Sequence, residues 1–103
     1  MSYEQAFSAM LTIDGVDEST MMKTPCLRYR GKFLAMYFAK MDALIIKVSP
    51  ERVKELIAEG MGLEFNFTKK TFKEWVLIPL EFEGKYEAYM HEALRYAKGE
   101  PGI

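Results

Sequence analysis

Six basic residues in two short segments have the types and spacing most suited to binding a charged ligand: Arg28, Arg30, Lys32, Lys69, Lys70 and Lys73. Aromatic residues stand among or beside them in both segments: Tyr29, Phe72 and Trp75. Cations attract phosphate groups and aromatic rings stack on bases, so this combination is typical of nucleic-acid-binding surfaces. The alternative is a solvated face whose lysines surround aromatic residues of an ordinary core.

The overall charge favours that alternative but leaves a local patch open. The chain has 14 lysine and arginine residues against 15 aspartate and glutamate residues, which gives a net charge of -1. Such a balance removes the strong positive field that non-specific nucleic-acid binders usually carry. A nucleic-acid role therefore requires the six basic residues to converge on one face of the fold.

Cys26 is the only cysteine, so a nucleophilic thiol is a second hypothesis. Reactive cysteines lie in electropositive surroundings, and Arg28 and Arg30 are predicted to share a strand face with Cys26. The ordinary interpretation is a small, half-buried strand residue between Pro25 and Leu27. A single cysteine also excludes an intrachain disulfide and fits a reducing compartment such as the cytoplasm.

The other residues that do chemistry in proteins predict neither catalysis nor a cofactor. His91 is the only histidine and stands beside Glu92 on a predicted helix, which is typical of a surface residue without an orienting partner. One cysteine and one histidine fall short of the usual ligand set of a zinc site. The Gly60-Met61-Gly62 segment follows a predicted helix, whereas a phosphate-binding glycine loop precedes one. We therefore expect no catalytic residue, no metal and no cofactor, and a protein that is not an enzyme.

The elements that must position these residues follow from changes in hydrophobic period. Apolar residues recur at three- to four-residue spacing over residues 3–13, 50–59 and 84–97, which predicts three amphipathic helices. Ser49 followed by Pro50 marks the start of the second helix, and Gly60 marks its end. Alternating or apolar runs predict strands at residues 26–30, 33–39, 43–48, 63–67 and 75–79. Residues 17–20 and 68–74 are predicted to be loops.

The order of these elements predicts one α+β domain in which helices cover an antiparallel sheet. Residues 33–39 are apolar at every position, so they should form a central strand. Alternatively, one face of this strand meets a helix and the other meets a partner. The apolar strand at residues 33–39 and the eight methionines support a second binding hypothesis, a homodimer or protein-interaction module. No run reaches the roughly 18 to 20 apolar residues of a membrane helix, so no membrane association is expected.

The segment from Lys23 to Ala35, KTPCLRYRGKFLA, resembles the K-P-C-L-x-x-x-G-K-x-F-A region of TfoX N-terminal domains and YjbR (MmcQ)-like bacterial proteins. The similarity continues through residues 46–57, 72–76 and 92–96 in the same order, and it covers about residues 15–98. It implies a single domain over residues 1–103 with the secretion-chaperone-like α-β-β-β-α-β-β-α fold.

The resemblance implies little about activity, and the leading hypothesis is a small, non-enzymatic cytoplasmic binding module of this group. DNA binding has been proposed for YjbR-like proteins, and TfoX-type domains are linked to the regulation of competence. The family pattern includes no catalytic residue that could be assigned to a position of this chain. Nucleic-acid binding, homodimerisation and a site around Cys26 remain the three alternatives, in that order.

Overall fold

In the computed structural model, which describes residues 3–21, 23–67 and 70–99, three α-helices pack on a six-stranded antiparallel sheet. The strand order in the sheet is β1-β2-β3-β4-β6-β5. The α+β class and the antiparallel sheet covered by helices are confirmed. In chain order the elements are α1 Tyr3–Met10, β1 Val16–Met21, β2 Thr24–Tyr29, β3 Lys32–Phe38, β4 Ala43–Lys47, α2 Pro50–Ala58, β5 Leu63–Phe67, β6 Lys70–Pro79 and α3 Tyr86–Ala97.

The strand β1 corrects the prediction that residues 17–20 form a loop. It pairs with β2 from Val16 opposite Tyr29 to Met21 opposite Thr24, so four strands rather than three separate α1 from α2. As an edge strand it buries only Val16 among its six residues. Its sequence therefore lacks the apolar alternation by which half-buried strands are identified.

Residues 70–74 are the second correction to a predicted loop, because β6 begins at Lys70 and runs to Pro79. Residues 68 and 69 of that loop lie outside the described residues. The Val48 amide donates a hydrogen bond to the Glu74 carbonyl (2.9 Å), which places Glu74 beside the end of β4. Pro79 closes the strand, where its missing amide hydrogen is tolerated. The 3₁₀ segment Leu80–Lys85 then precedes α3, which begins slightly later than predicted.

The predicted ends of α2 are confirmed. The Ser49 hydroxyl accepts a hydrogen bond from the Arg52 amide (3.2 Å), and Pro50 occupies the first turn. Gly60, with a φ of +78°, lies just beyond the helix in the left-handed region that glycine adopts without strain. Local side-chain chemistry is therefore sufficient to define this helix.

The helices cover one face of the sheet, where the larger core lies. Its buried residues come from all three helices and from the inward positions of the strands, including Leu27, Leu44 and Ile78. Tyr86 of α3 is fully buried there, and its hydroxyl donates to the Ile78 carbonyl (3.0 Å). Among the described residues no helix is both long and apolar enough to cross a membrane.

The opposite face of the sheet carries a second apolar cluster, which includes a row of aromatic rings. Phe33 stacks on Trp75 with ring centroids 4.8 Å apart, and Trp75 contacts Phe65 at 5.3 Å. Phe65 meets Phe38 edge-on at 5.5 Å. The buried members of this cluster are no more than 6% exposed within one chain: Cys26, Phe33, Met36, Ala43, Ile45, Phe65 and Leu77. The predicted central position of residues 33–39 is confirmed, whereas the homodimer stays a prediction.

A β-bulge in β3 decides which face Phe33 occupies. Leu27 pairs with Ala35, but Arg28 pairs with Phe33, so Leu34 is the extra residue. Leu34 and Ala35 consequently both join the helix-side core, while Phe33 lies in the opposite cluster. The bulge thereby brings the Phe33 ring against Trp75 at the end of the sheet where the candidate site lies.

Candidate functional site at the basic end of the sheet

The tight turn between β2 and β3 determines where the first group of basic residues points. Tyr29 pairs with Lys32, so the turn consists of Arg30 and Gly31, with φ values of +49° and +86°. Two positive φ values in a two-residue loop are typical of a type I′ hairpin. Arg30 therefore lies in the turn, which corrects the prediction that it shares a strand face with Cys26. The Arg30 amide donates to the Gly15 carbonyl (3.0 Å), which fixes the turn against the start of β1.

Two cations from distant parts of the chain lie against the ring of Tyr29. The Arg30 guanidinium carbon is 5.4 Å from the ring centroid, and the Lys98 ammonium nitrogen is 5.6 Å from it. Both distances are within the range of a cation–π interaction. Within the described part of the chain, neither cation forms an ion pair with a carboxylate. The positive charge of these two side chains is therefore available to a ligand.

Lys32 joins the hairpin to the end of α3. Its ammonium group donates a hydrogen bond to the carbonyl oxygen of Ala97 (3.1 Å), the last residue of the helix. The last carbonyls of a helix lack intrahelical partners and carry partial negative charge, so a lysine is favourable there. We call Tyr29, Arg30, Lys32 and Lys98 the basic end of the sheet.

A cleft with a volume of about 380 Å³ opens beside the basic end. It is lined by residues from the start of β3, the end of β4 and the last turn of α3: Lys32, Phe33, Lys47, Tyr96 and Ala97. The Phe33 ring is held in place by its stack on Trp75. The cleft and the basic end share Lys32, so one ligand can contact both.

Glu74 links the elements around this cleft. One oxygen of its carboxylate accepts a hydrogen bond from the Tyr96 hydroxyl, and the other is 4.0 Å from the Lys47 ammonium nitrogen. The hydrogen bond to the carboxylate, with a further contribution from burial, raises the pKa of Tyr96 to about 12. Tyr96 is therefore a neutral donor at physiological pH, and the polar side chains that line the cleft are those of Lys32, Lys47 and Tyr96.

The structure brings together only some of the six predicted basic residues. Arg30 and Lys32 lie at the basic end, whereas Arg28 is partly buried and donates from Nη1 to the Gly31 carbonyl (3.1 Å). Lys73 is exposed one residue before Glu74, so it lies toward the same end of the sheet. Lys69 and the side chains of Lys70 and Phe72 lie outside the described residues.

The residues that complete the site are not recognisable from the sequence. Lys47 and Lys98 read as ordinary lysines at the ends of a strand and a helix, and Tyr96 and Glu74 carry no motif. Only Lys98 fits a local sequence pattern, because a lysine just after a helix is a common capping residue. Their convergence is set by the packing of α3 on β3 and β4, which local patterns do not specify.

Cys26 lies in the cluster on the face opposite the helices and is 0% exposed. Burial raises the pKa of its thiol, and the nearby Arg28 guanidinium offsets this only in part. A reactive cysteine requires the opposite, an accessible thiol with a lowered pKa. The geometry therefore disfavours a nucleophilic role for Cys26.

In the part of the chain that the structure describes, His91 and the carboxylates form no group that could hold a metal ion. The His91 side chain is 41% exposed, and its Nε2 atom is 3.6 Å from Glu87, one helical turn away. Its sequence neighbour Glu92 instead pairs with Arg52 of α2. His91 thus lies on the surface, as the sequence predicted.

Comparisons with family models, curated proteins and solved structures give no match to this chain. The resemblance to TfoX N-terminal domains and YjbR-like proteins therefore remains a prediction from the residues.

Proposed function

We propose that this protein is a non-enzymatic cytoplasmic binding module whose basic end binds the phosphates of a nucleic acid. The observation that carries the proposal is the convergence of Arg30 and Lys98 on one ring without an ion-pair partner in the described residues. In a chain of net charge -1, such a group is not a consequence of general basicity. Phosphate backbones are the ligands that clustered surface cations attract most strongly.

Two further features support a phosphate ligand over an isolated carboxylate. Lys32 and the exposed Lys73 extend the positive charge beyond the Tyr29 ring, which suits a chain of phosphates better than a single anion. The proposed DNA binding of YjbR-like proteins, to which the sequence is similar, concerns the same class of ligand.

The test is a fluorescence anisotropy titration of a labelled oligonucleotide of about 20 nucleotides at low salt. The protein is compared with a variant carrying Arg30→Gln and Lys98→Gln and with the control Lys40→Gln. Lys40 is exposed in the 3₁₀ turn Ala39–Met41 at the opposite end of the sheet. We expect binding by the protein and the control and a large loss in the double variant. Absence of binding by the unaltered protein at low salt would refute the proposal.

Self-association is the second candidate, and exposed apolar side chains favour it. Met41 and Leu80 are 53% and 44% exposed, and they flank the register pair Ala43 and Pro79 at the end of the sheet opposite the basic end. A stable dimer needs at least about 1,000 Å² of buried surface. Multi-angle light scattering tests self-association. A dimer that Met41→Ser and Leu80→Ser convert to a monomer supports it, and a monomer at all concentrations contradicts it.

A further inference from the structure

The cleft beside the basic end has room for a part of the ligand other than its phosphates. Its volume of about 380 Å³ falls within the range of small-molecule sites in proteins. Because Lys32 belongs to both the cleft and the basic end, a strand that lies across the basic end passes the mouth of the cleft.

The charge of the cleft argues against a phosphate inside it. The Glu74 carboxylate approaches its wall through Tyr96 and Lys47, and the carbonyl end of α3 lies at Ala97. Lys47 is already opposed by Glu74, and Lys32 donates a hydrogen bond to the Ala97 carbonyl. A second anion in the cleft would lie close to the Glu74 carboxylate and to the negative end of the α3 dipole, which disfavours it.

The same groups match the edge of a nucleobase. Among the residues that line the cleft, Lys32 and Lys47 are donors and the Tyr96 hydroxyl oxygen can accept, and a base edge presents both donors and acceptors. The rings of Phe33 and Tyr96 supply apolar surface, and both are fixed, by the stack on Trp75 and by the bond to Glu74. Rigid aromatic walls are what proteins use to hold unpaired bases.

We propose that the cleft takes one unpaired base from a strand whose phosphates lie on the basic end. The inference rests on the proposed function and adds to it a preference for single-stranded over duplex nucleic acid. A base in a duplex is paired and stacked, so it reaches such a cleft only if it leaves the helix at a cost in free energy.

The experiment compares three ligands, of which the first two have the same strand of phosphates and differ only in whether it carries bases. They are a single-stranded oligonucleotide, an abasic strand of the same length and the corresponding duplex, each titrated as DNA and as RNA. We expect the base-containing strand to bind about tenfold or more tightly than the abasic strand. Lys47→Gln and Tyr96→Phe should each reduce this ratio, whereas Lys98→Gln should weaken both strands equally. Circular dichroism and thermal unfolding confirm that each variant is folded.

The outcomes separate the two proposals. Equal affinity for the base-containing and abasic strands, or tighter binding of the duplex, overturns the cleft inference while the phosphate-binding proposal stands. Absence of binding to all three ligands overturns the proposed function. A ratio that Lys47→Gln and Tyr96→Phe both leave unchanged shows that bases are recognised elsewhere and also overturns the inference.

Discussion

The Tyr96 hydroxyl donates a hydrogen bond to the Glu74 carboxylate, so the last turn of α3 is joined to β6 across the end of the sheet. The other carboxylate oxygen is 4.0 Å from Lys47 of β4. One acidic side chain therefore connects three elements and contacts two residues that line the cleft, Tyr96 and Lys47. This contact contributes both to stability and to the character of the candidate site.

The first prediction concerns the loss of this hydrogen bond at high pH. The folded-state pKa of Tyr96 is raised to about 12 from an ordinary value of 10.0. A raised pKa means that the folded state holds the proton more tightly, so the stabilisation is complete below pH 10 and is lost as the pH rises toward 12. Urea unfolding across this window should show a smaller loss of stability for Tyr96→Phe than for the unaltered protein. Identical pH dependence in the two proteins would contradict the assignment.

The pair between Arg52 and Glu92, which connects α2 to α3, should matter for stability. Arg52 donates from Nε and Nη2 to the two Glu92 oxygens at 2.8 and 3.1 Å, and the Glu92 side chain is only 18% exposed. Removing one partner of a partly buried charged pair of this kind costs about 1–3 kcal/mol, so Glu92→Gln should lower the free energy of unfolding by that amount.

Glu55→Gln is the matched control for this pair. Glu55 also contacts Arg52, at 3.1 Å, but its side chain is 61% exposed. An exposed pair on one helix contributes less than about 0.5 kcal/mol. If urea titrations at neutral pH show the same loss in free energy of unfolding for the two substitutions, the contact between the helices contributes no more to stability than the exposed pair.

Two glycines offer a test of how α2 packs on the sheet. A Cβ atom at Gly62 would lie 2.6 Å from Val76 Cγ2 and 3.2 Å from Leu56 Cβ. A Cβ atom at Gly84 would have no other atom within 4 Å. Gly62→Ala should therefore destabilise the fold by about 1–3 kcal/mol through overpacking. Gly84→Ala should change stability by less than about 0.5 kcal/mol. Similar thermal midpoints for the two variants would contradict this packing.

Cys26 provides a test of the face of the sheet opposite the helices. Because the thiol is 0% exposed and burial raises its pKa, alkylation by iodoacetamide should proceed only as fast as the protein opens. Addition of urea should accelerate the reaction to the rate of a free thiol. Rapid alkylation of the native protein at neutral pH would revive the hypothesis of a reactive cysteine.

The parts of the fold that the sequence predicts correctly are those with local chemistry. Ser49, Pro50 and Gly60 specify the ends of α2 through capping and backbone preference alone. The strand β1 escapes prediction because an edge strand buries one residue and otherwise presents polar side chains. The bulge at Leu34 also has no sequence signal, although it decides on which face Phe33 lies.

The candidate site was predictable only in part, because it is assembled from distant segments. Arg30 and Lys32 stand out as basic residues near a glycine turn, and both reach the basic end. Lys98 meets Tyr29 only because α3 packs across β3 and β4, and no periodicity encodes that contact. Burial of Cys26 similarly depends on the second apolar cluster, which the sequence showed only as an apolar excess in one strand.

The salt dependence of oligonucleotide binding tests the central claim most directly. Each phosphate neutralised on a single strand contributes about -0.7 to the slope of log K against log salt concentration. The unaltered protein should bind at low salt with a clearly negative slope, and the variant with Arg30→Gln and Lys98→Gln should lose about 1.4 of that slope together with most of its affinity. Lys40→Gln should retain both. Binding with the same slope in the double variant, or no binding by the unaltered protein, would contradict the assignment of the basic end as a phosphate-binding surface.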